Sequence, residues 1–233
     1  MMIGHYVIYA DPEELASQWS VKMDSQYRPT YNAQATQRLP VVTNLTGDQL
    51  SFLHWGVIPE MARKKAVSPK LLSLDQHELQ SKSMHQTNLV TQRCVIPMQG
   101  IYWSRPIGKK KSTPMYTFLN NHKIVAAAGI WSQFDDFDGN VHYTFKTIMQ
   151  RTEGEYSEFG SELPLIITKS NMTNWLSAGQ TFEQLHALMT LPELASVGTH
   201  AVSPKVFNTA IDDASLIKAT KPSDQFGNYT LFD

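Results

Sequence analysis

The chain has 233 residues, of which 42% are hydrophobic and 18% charged, with a formal net charge of -1. That length suits one large domain or two small ones with a proper core, and the composition is that of a folded globular protein rather than a disordered one. The near-neutral charge excludes whole-molecule attraction to nucleic acid, though it leaves room for a local basic groove.

One cysteine, Cys94, excludes an internal disulfide and a cysteine metal cluster, and it fits a reducing compartment. The start, Met1 to Tyr9, lacks the basic and continuously apolar stretches of a signal peptide. The longest apolar run, Ile124 to Trp131, is too short to span a bilayer. A cytoplasmic protein with no membrane partner is expected.

In chain order, His5 to Tyr9 reads as a first strand. Asp11 to Trp19 opens on Asp-Pro and places Leu15 and Trp19 at helical spacing, so a short capped helix is expected. Leu39 to Thr43, Leu50 to Gly56 and Cys94 to Tyr102 are strand candidates. The polar segment Ala62 to Gln92 reads as loop, with Lys64-Lys65 and Ser68-Pro69 as its signals. Met115 to Leu119 and Ile124 to Trp131 flank Asn120-Asn121 and predict a hairpin. Asp135 to Gly139 is a second turn, followed by a strand from Val141 to Met149. Leu163 to Thr168 is a further strand, and Asn171 to Leu176 is helical. Phe182 to Thr190 carries Phe182, Leu185, Leu188 and Met189 on one helical face. The expected class is α+β with a strand majority, as one domain over 1–233 ending in a surface tail at 220–233.

Phosphate loops, paired-cysteine zinc sites, His-Glu-x-x-His and nucleophile elbows are absent from the sequence, and no histidines pair at metal-ligand spacing. No cofactor and no metal are expected. A different set of fragments holds. Tyr31 to Pro40 is similar to a Tyr-Asn-x-x-Pro-Thr-Gln-x-x-Pro element, and Trp55 to Pro59 to Trp-Gly-Leu-Ile-Pro. Arg93 to Tyr102 is similar to Arg-Cys-Leu-x-Pro-x-x-Gly-Phe-Tyr, and Ala128 to Trp131 to Ala-Gly-Leu-Trp. Leu163 to Ile167 with Trp175-Leu176, and Val202 to Asn208, complete the set. In this order and spacing the chain resembles the SOS response-associated peptidase (SRAP) family from about Ile3 to Ala219. The resemblance implies a SRAP-like fold, with strand-rich mixed and antiparallel sheets curled around a core and a few flanking helices.

That family senses abasic sites in single-stranded DNA. The resemblance implies an N-terminal cysteine whose amine and thiol capture the sugar aldehyde, with an asparagine, a glutamate and a histidine orienting the sugar and moving protons. Carried over residue by residue, the cysteine position falls on Ile3, the asparagine on Ser73, the glutamate on Trp103 and the histidine on Gly160. Two family arginines become Asp75 and Glu162, a third arginine becomes His5, and a further glutamate position becomes His77. Ile cannot act as a thiol nucleophile and Trp cannot take up a proton as a carboxylate does. Cys94 matches a buried strand cysteine. A non-catalytic binding protein is therefore expected, with no catalytic residues and with Trp103 plugging the former cleft.

The candidates for touching nucleic acid are Asn32, Trp55, Gly56, His5, His77 and Arg93. The basic runs Arg63-Lys64-Lys65 and Lys109-Lys110-Lys111 are further candidates for phosphate contact, though Lys109 to Lys111, after Gly108 at an expected hairpin tip, reads better as a solvated turn. The ligand is left open between single-stranded or damaged DNA and a protein partner. Two further readings are an active abasic-site crosslinking protein or peptidase working through altered residues, and a repurposed enzyme with His5 and His77 together in the old cleft.

Overall fold

A computed structural model describes residues 2–62, 67–108, 111–136 and 138–221. Strand β1 (Met2–Ile8) leads into helix α1 (Pro12–Trp19), then β2 (Thr30–Gln34), β3 (Arg38–Thr43) and β4 (Ser51–Trp55). Four short helices follow around one strand: α2 (Pro59–Ala62), α3 (Pro69–Leu72), β5 (Ser73–Asp75), α4 (Gln76–Ser81) and α5 (Ser83–Thr91). Next come β6 (Arg93–Met98), β7 (Gly100–Ile107), β8 (Lys111–Phe118), β9 (Val125–Asp135) and β10 (Val141–Arg151). The chain finishes with β11 (Glu162–Pro164), β12 (Ile166–Ile167), α6 (Met172–Leu176), α7 (Phe182–Leu188), β13 (Met189–Thr190) and β14 (Gly198–Ala201).

The strands form two sheets, so the α+β, strand-rich expectation holds. The first is antiparallel, in the order β14-β8-β7-β1-β2. The second runs β11-β10-β4-β3-β6-β9-β12-β13, with β5 alongside β10. Pairing of β9 with β10 closes β10-β4-β3-β6-β9 into a ring, a small barrel without free edges on those strands. The main core lies between the sheets: Tyr6, Ile8 and Ile101 from the first meet Val41, Val95, Ile96 and Ala127 from the second. A smaller core, including Val7, Tyr102, Tyr116, Val206 and Leu216, covers the outer face of the first sheet.

Four sequence expectations change. Cys94 to Tyr102 is two strands, because buried Gln99 breaks the run. Its Oε1 accepts from the Tyr9 and Ala10 N–H groups, and its Nε2 donates to the His122 carbonyl, all at 2.8 Å. Residues 115–131 are no hairpin: β8 and β9 belong to different sheets. Asn120, Asn121 and His122 all have positive φ, and this left-handed turn hands the chain across instead of folding it back. The strand at 163–168 is split at Leu165, whose N–H bonds Ile148 on β10 and whose carbonyl bonds Ala128 on β9. Between 67 and 92 the described residues form α3, β5, α4 and α5 rather than loop. Helices α3, α4 and α5 are anchored by one buried leucine each, Leu72, Leu79 and Leu89, too sparse for a periodic signal. Pro69, expected to mark a loop, opens α3, where its missing N–H costs nothing. Arg63, Lys64 and Lys65, Lys109 and Lys110, and nearly all of the expected tail (222–233) lie outside the described residues.

Other expectations hold. Asp11 caps α1 by accepting from Glu14 N–H, and β9 and β10 form the hairpin around the 135–139 turn. The helix expected over 182–190 is correct only to Leu188; Met189–Thr190 departs from it as a strand paired with β12.

Arg93 starts β6 and is 1% exposed. Its guanidinium donates to the carbonyls of Trp175, Ser177 and Val90, tying α5, β6 and the end of α6 together. Removing it would strand those carbonyls in the interior, at about 1–3 kcal/mol each. Arg93→Ala is therefore expected to lower the unfolding free energy by about 3 kcal/mol or more in urea titration; a loss below about 1 kcal/mol would contradict this role.

Burial holds the pKa values of His5, His85 and His122 below their ordinary 6.5. A folded-state pKa below the unfolded one means the unfolded chain binds more protons at pH just under 6.5. Stability is then full above that pH and is lost as pH falls toward the folded values. The urea midpoint is expected to fall between pH 7.5 and pH 5.5, and His5→Gln to remove part of that slope, by about 2.303RT per proton at most; a flat profile would contradict it.

Candidate functional site

The site grows from one row across the inner face of the first sheet. Trp103 on β7, Met115 on β8 and Ala201 on β14 are register partners and form a small cluster of their own. The neighbouring row is Ile101, Thr117 and Thr199. Trp103 is 7% exposed, and its indole N–H donates to Thr117 Oγ1 at 2.8 Å. Thr117 donates to the Phe159 carbonyl at 2.8 Å and lies 3.1 Å from Thr199 Oγ1. Thr199 Oγ1 donates in turn to the Tyr116 carbonyl at 3.2 Å. The Arg105 guanidinium carbon sits 5.1 Å from the Trp103 ring centroid, within cation–π range, and Arg105 also donates to the Glu158 carbonyl.

Gly160 closes this row from above. Its φ is +132°, a conformation that side chains rarely adopt, and a Cβ there would already lie 3.4 Å from Trp103 Cγ. A larger ring built toward the indole would find that space taken. Strand β1 reaches the same place: Met2 is the register partner of Trp103, so Ile3 is the next residue along. At Gly4, with φ +80°, a Cβ would lie 3.0 Å from Leu72 Cδ1, and Leu72 precedes Ser73. Ser73 pairs with Thr147 across β5 and β10. Positions 3, 73, 103 and 160 are thus joined by a short chain of neighbours. They carry no thiol, carboxylate or imidazole.

Asp75 and Glu162 flank this region. Asp75 caps α4 by accepting from His77 N–H and pairs with Arg151 at 3.2 Å. Glu162 is the register partner of Arg151, and burial raises its pKa above the ordinary carboxylate value. His77 stands exposed on α4, in a polar groove with Gln76, Gln80 and Arg151.

The remaining sequence candidates are distributed differently. Trp55 is 1% exposed, donates its indole N–H to the Leu72 carbonyl at 3.0 Å and meets Tyr6 edge-on at 5.0 Å. Gly56 is buried beside Leu71 and Leu72. Asn32 is buried and donates to the Ile211 carbonyl at 2.9 Å, fastening the C-terminal segment over the outer face of the first sheet. Asp212 does the same from the other side, accepting from Thr30 Oγ1 and Tyr31 N–H. His5 lies under this strap, against the Val206 carbonyl and the Asn32 side chain. As placed, Trp55, Arg93 and Asn32 are each 1% exposed, so these three side chains face the interior. His5 and His77 form no hydrogen bond with each other and sit in different surroundings, so the repurposed pair is not assembled. Cys94 is fully buried, and burial pushes its thiol well above the ordinary range. Thr117 is the participant that sequence reading missed; a threonine inside a β-strand carries no signal beyond strand propensity.

Among the described residues no group of three or more His, Cys, Asp or Glu is placed to hold a metal ion, and no helix is long and apolar enough to cross a membrane.

Comparison with known proteins agrees with the geometry of the fold. The model for the SOS response associated peptidase (SRAP) family matches residues 2–209. The abasic site processing protein YoqW of Bacillus subtilis (strain 168) is 23% identical over 223 residues, covering 94% of this chain and all of that one. The abasic site processing protein YobE of the same organism is 24% identical over 195 residues, 82% of this chain and 89% of that one. A solved protein from Bacteroides thetaiotaomicron superposes with a TM-score of 0.76 at 19% identity, over 93% of this chain and 99% of that one. A solved phage-related protein from Bordetella bronchiseptica gives a TM-score of 0.66 at 13% identity, over 85% of this chain and 93% of that one. With the family model spanning nearly the whole described chain, this protein belongs to the SOS response-associated peptidase family.

Proposed function

We propose that this chain is a catalytically silent SRAP-family protein that binds single-stranded DNA without reacting with it. The observation that carries the reading is Trp103. Its indole fills the space beside Gly160, with its one polar atom satisfied by Thr117. An indole there can neither donate nor accept a catalytic proton, and the neighbouring positions hold Ile3 and Ser73. Loss of one member of a cooperating site already costs about 10³-fold or more.

The DNA part of the reading rests on the relatives, which are named for abasic site processing. A cytoplasmic location and a single folding unit belong to the same reading; the first is supported by the lone buried thiol, the second by a main core drawn from both sheets.

Incubation with single-stranded DNA carrying an abasic site, followed by denaturing electrophoresis, tests the catalytic half. No denaturation-resistant adduct is expected; an adduct would overturn the silent reading. In parallel, anisotropy with unmodified single strands should show binding at low salt that weakens steeply as salt rises. No binding at low salt would remove DNA and leave a protein partner.

A further inference from the structure

A groove of about 330 Å³ opens on the second sheet, well apart in sequence from the Trp103 row, between the β3–β4 connection and the start of β10. That volume is at the small end of the ~300–1,000 Å³ range of ligand sites. Its walls include Phe52, Trp131 and Tyr143, with Leu45 at the rim. The Trp131 and Tyr143 rings are tilted neighbours, 6.2 Å apart between centroids. Trp131 is fixed, since its indole N–H donates to Asn44 Oδ1 at 3.0 Å. Tyr143 stands 43% exposed and Leu45 71% exposed, an uncommon concentration of large apolar surface at one place.

The polar content of the groove selects its occupant. Arg38 lines it and makes only long bonds, 3.3–3.4 Å, to the Phe52 carbonyl. Among the described residues Arg38 has no ion-pair partner within 4.0 Å. The other polar groups include the hydroxyls of Thr43, Thr46, Ser51 and Tyr143; no carboxylate lines the groove. Asp48, on the same loop, is engaged by Lys22 at 2.8 Å. Four other large grooves each include carboxylates: Glu193 in one, Glu60, Asp135, Asp136 and Asp138 in the second, Glu153 in the third and Glu158 in the fourth. Aromatic walls, hydroxyls and one acid-free guanidinium complement a base with its neighbouring phosphate, and a protein segment has no comparable need for that cation.

We propose that this groove holds a nucleotide of bound single-stranded nucleic acid, with the base against Tyr143 and a phosphate on Arg38. The inference rests on the DNA-binding reading above and assigns it a contact surface separate from the Trp103 row. Each neutralised phosphate of a single strand contributes about 0.7 to the salt slope.

The test is anisotropy of a fluorescent oligo-thymidine with the unaltered chain and with Tyr143→Ala, Tyr143→Phe and Arg38→Ala. Both positions are solvent-facing, and circular dichroism checks that each variant is folded. Tyr143→Ala is expected to weaken binding about tenfold, Tyr143→Phe to retain it, and Arg38→Ala to lower the salt slope by about 0.7. If the unaltered chain binds and the three variants bind equally well, the groove is wrong and the DNA reading survives. If the unaltered chain does not bind at low salt, the DNA reading fails and the groove with it.

Discussion

The indole N–H of Trp103 donates to Thr117, and the Thr117 hydroxyl donates in turn to the Phe159 carbonyl. This short relay fixes β7, β8 and the segment leading to Gly160 against one another. Burying an indole contributes about 4 kcal/mol by area, and the relay removes the cost of burying its N–H. Gly160 fits that choice: its φ of +132° is one that side chains rarely adopt, and a Cβ there would touch Trp103 at 3.4 Å. A site of this kind favours packing over chemistry.

Other residues that match the family are also used inside the protein. Leu72 sits between Gly4, Gly56 and Trp55, and binds the two sheets through glycines that leave room for its methyl groups. Arg93 and Asn32 donate to backbone carbonyls, one beneath α6 and the other beneath the C-terminal strap. Matching sequence fragments thus mark where segments are fastened to each other.

Much of the architecture was legible because the residues that carry it obey local rules. Asp11-Pro12 announces α1, and the Asp135–Gly139 turn announces the β9–β10 hairpin. The misreadings share a cause. Gln99 breaks a strand through bonds to residues about 90 and 23 positions away, and no window of sequence contains those partners. Asn120-Asn121 signals a turn correctly, but the left-handed run through His122 sends the chain to the other sheet, which depends on packing that turn propensity cannot report. At the site, the family resemblance brought positions 3, 73, 103 and 160 into view, whereas Thr117 became visible only once β7 and β8 were paired. The orientation of His5 toward the outer strap likewise depends on strand alternation through the register irregularity between Met2 and Tyr6.

The account stands on Trp103 being locked in place. Hydrogen exchange of indole N–H groups by NMR tests this directly, with the Trp103 resonance identified as the one absent from Trp103→Phe among the five tryptophans. The buried, bonded N–H should exchange only with opening of the surrounding sheet, at a rate close to that of the slowest amides of β7 and β8. Exchange at the rate of a free indole would show the ring swinging out and the cleft standing open, and would contradict the account.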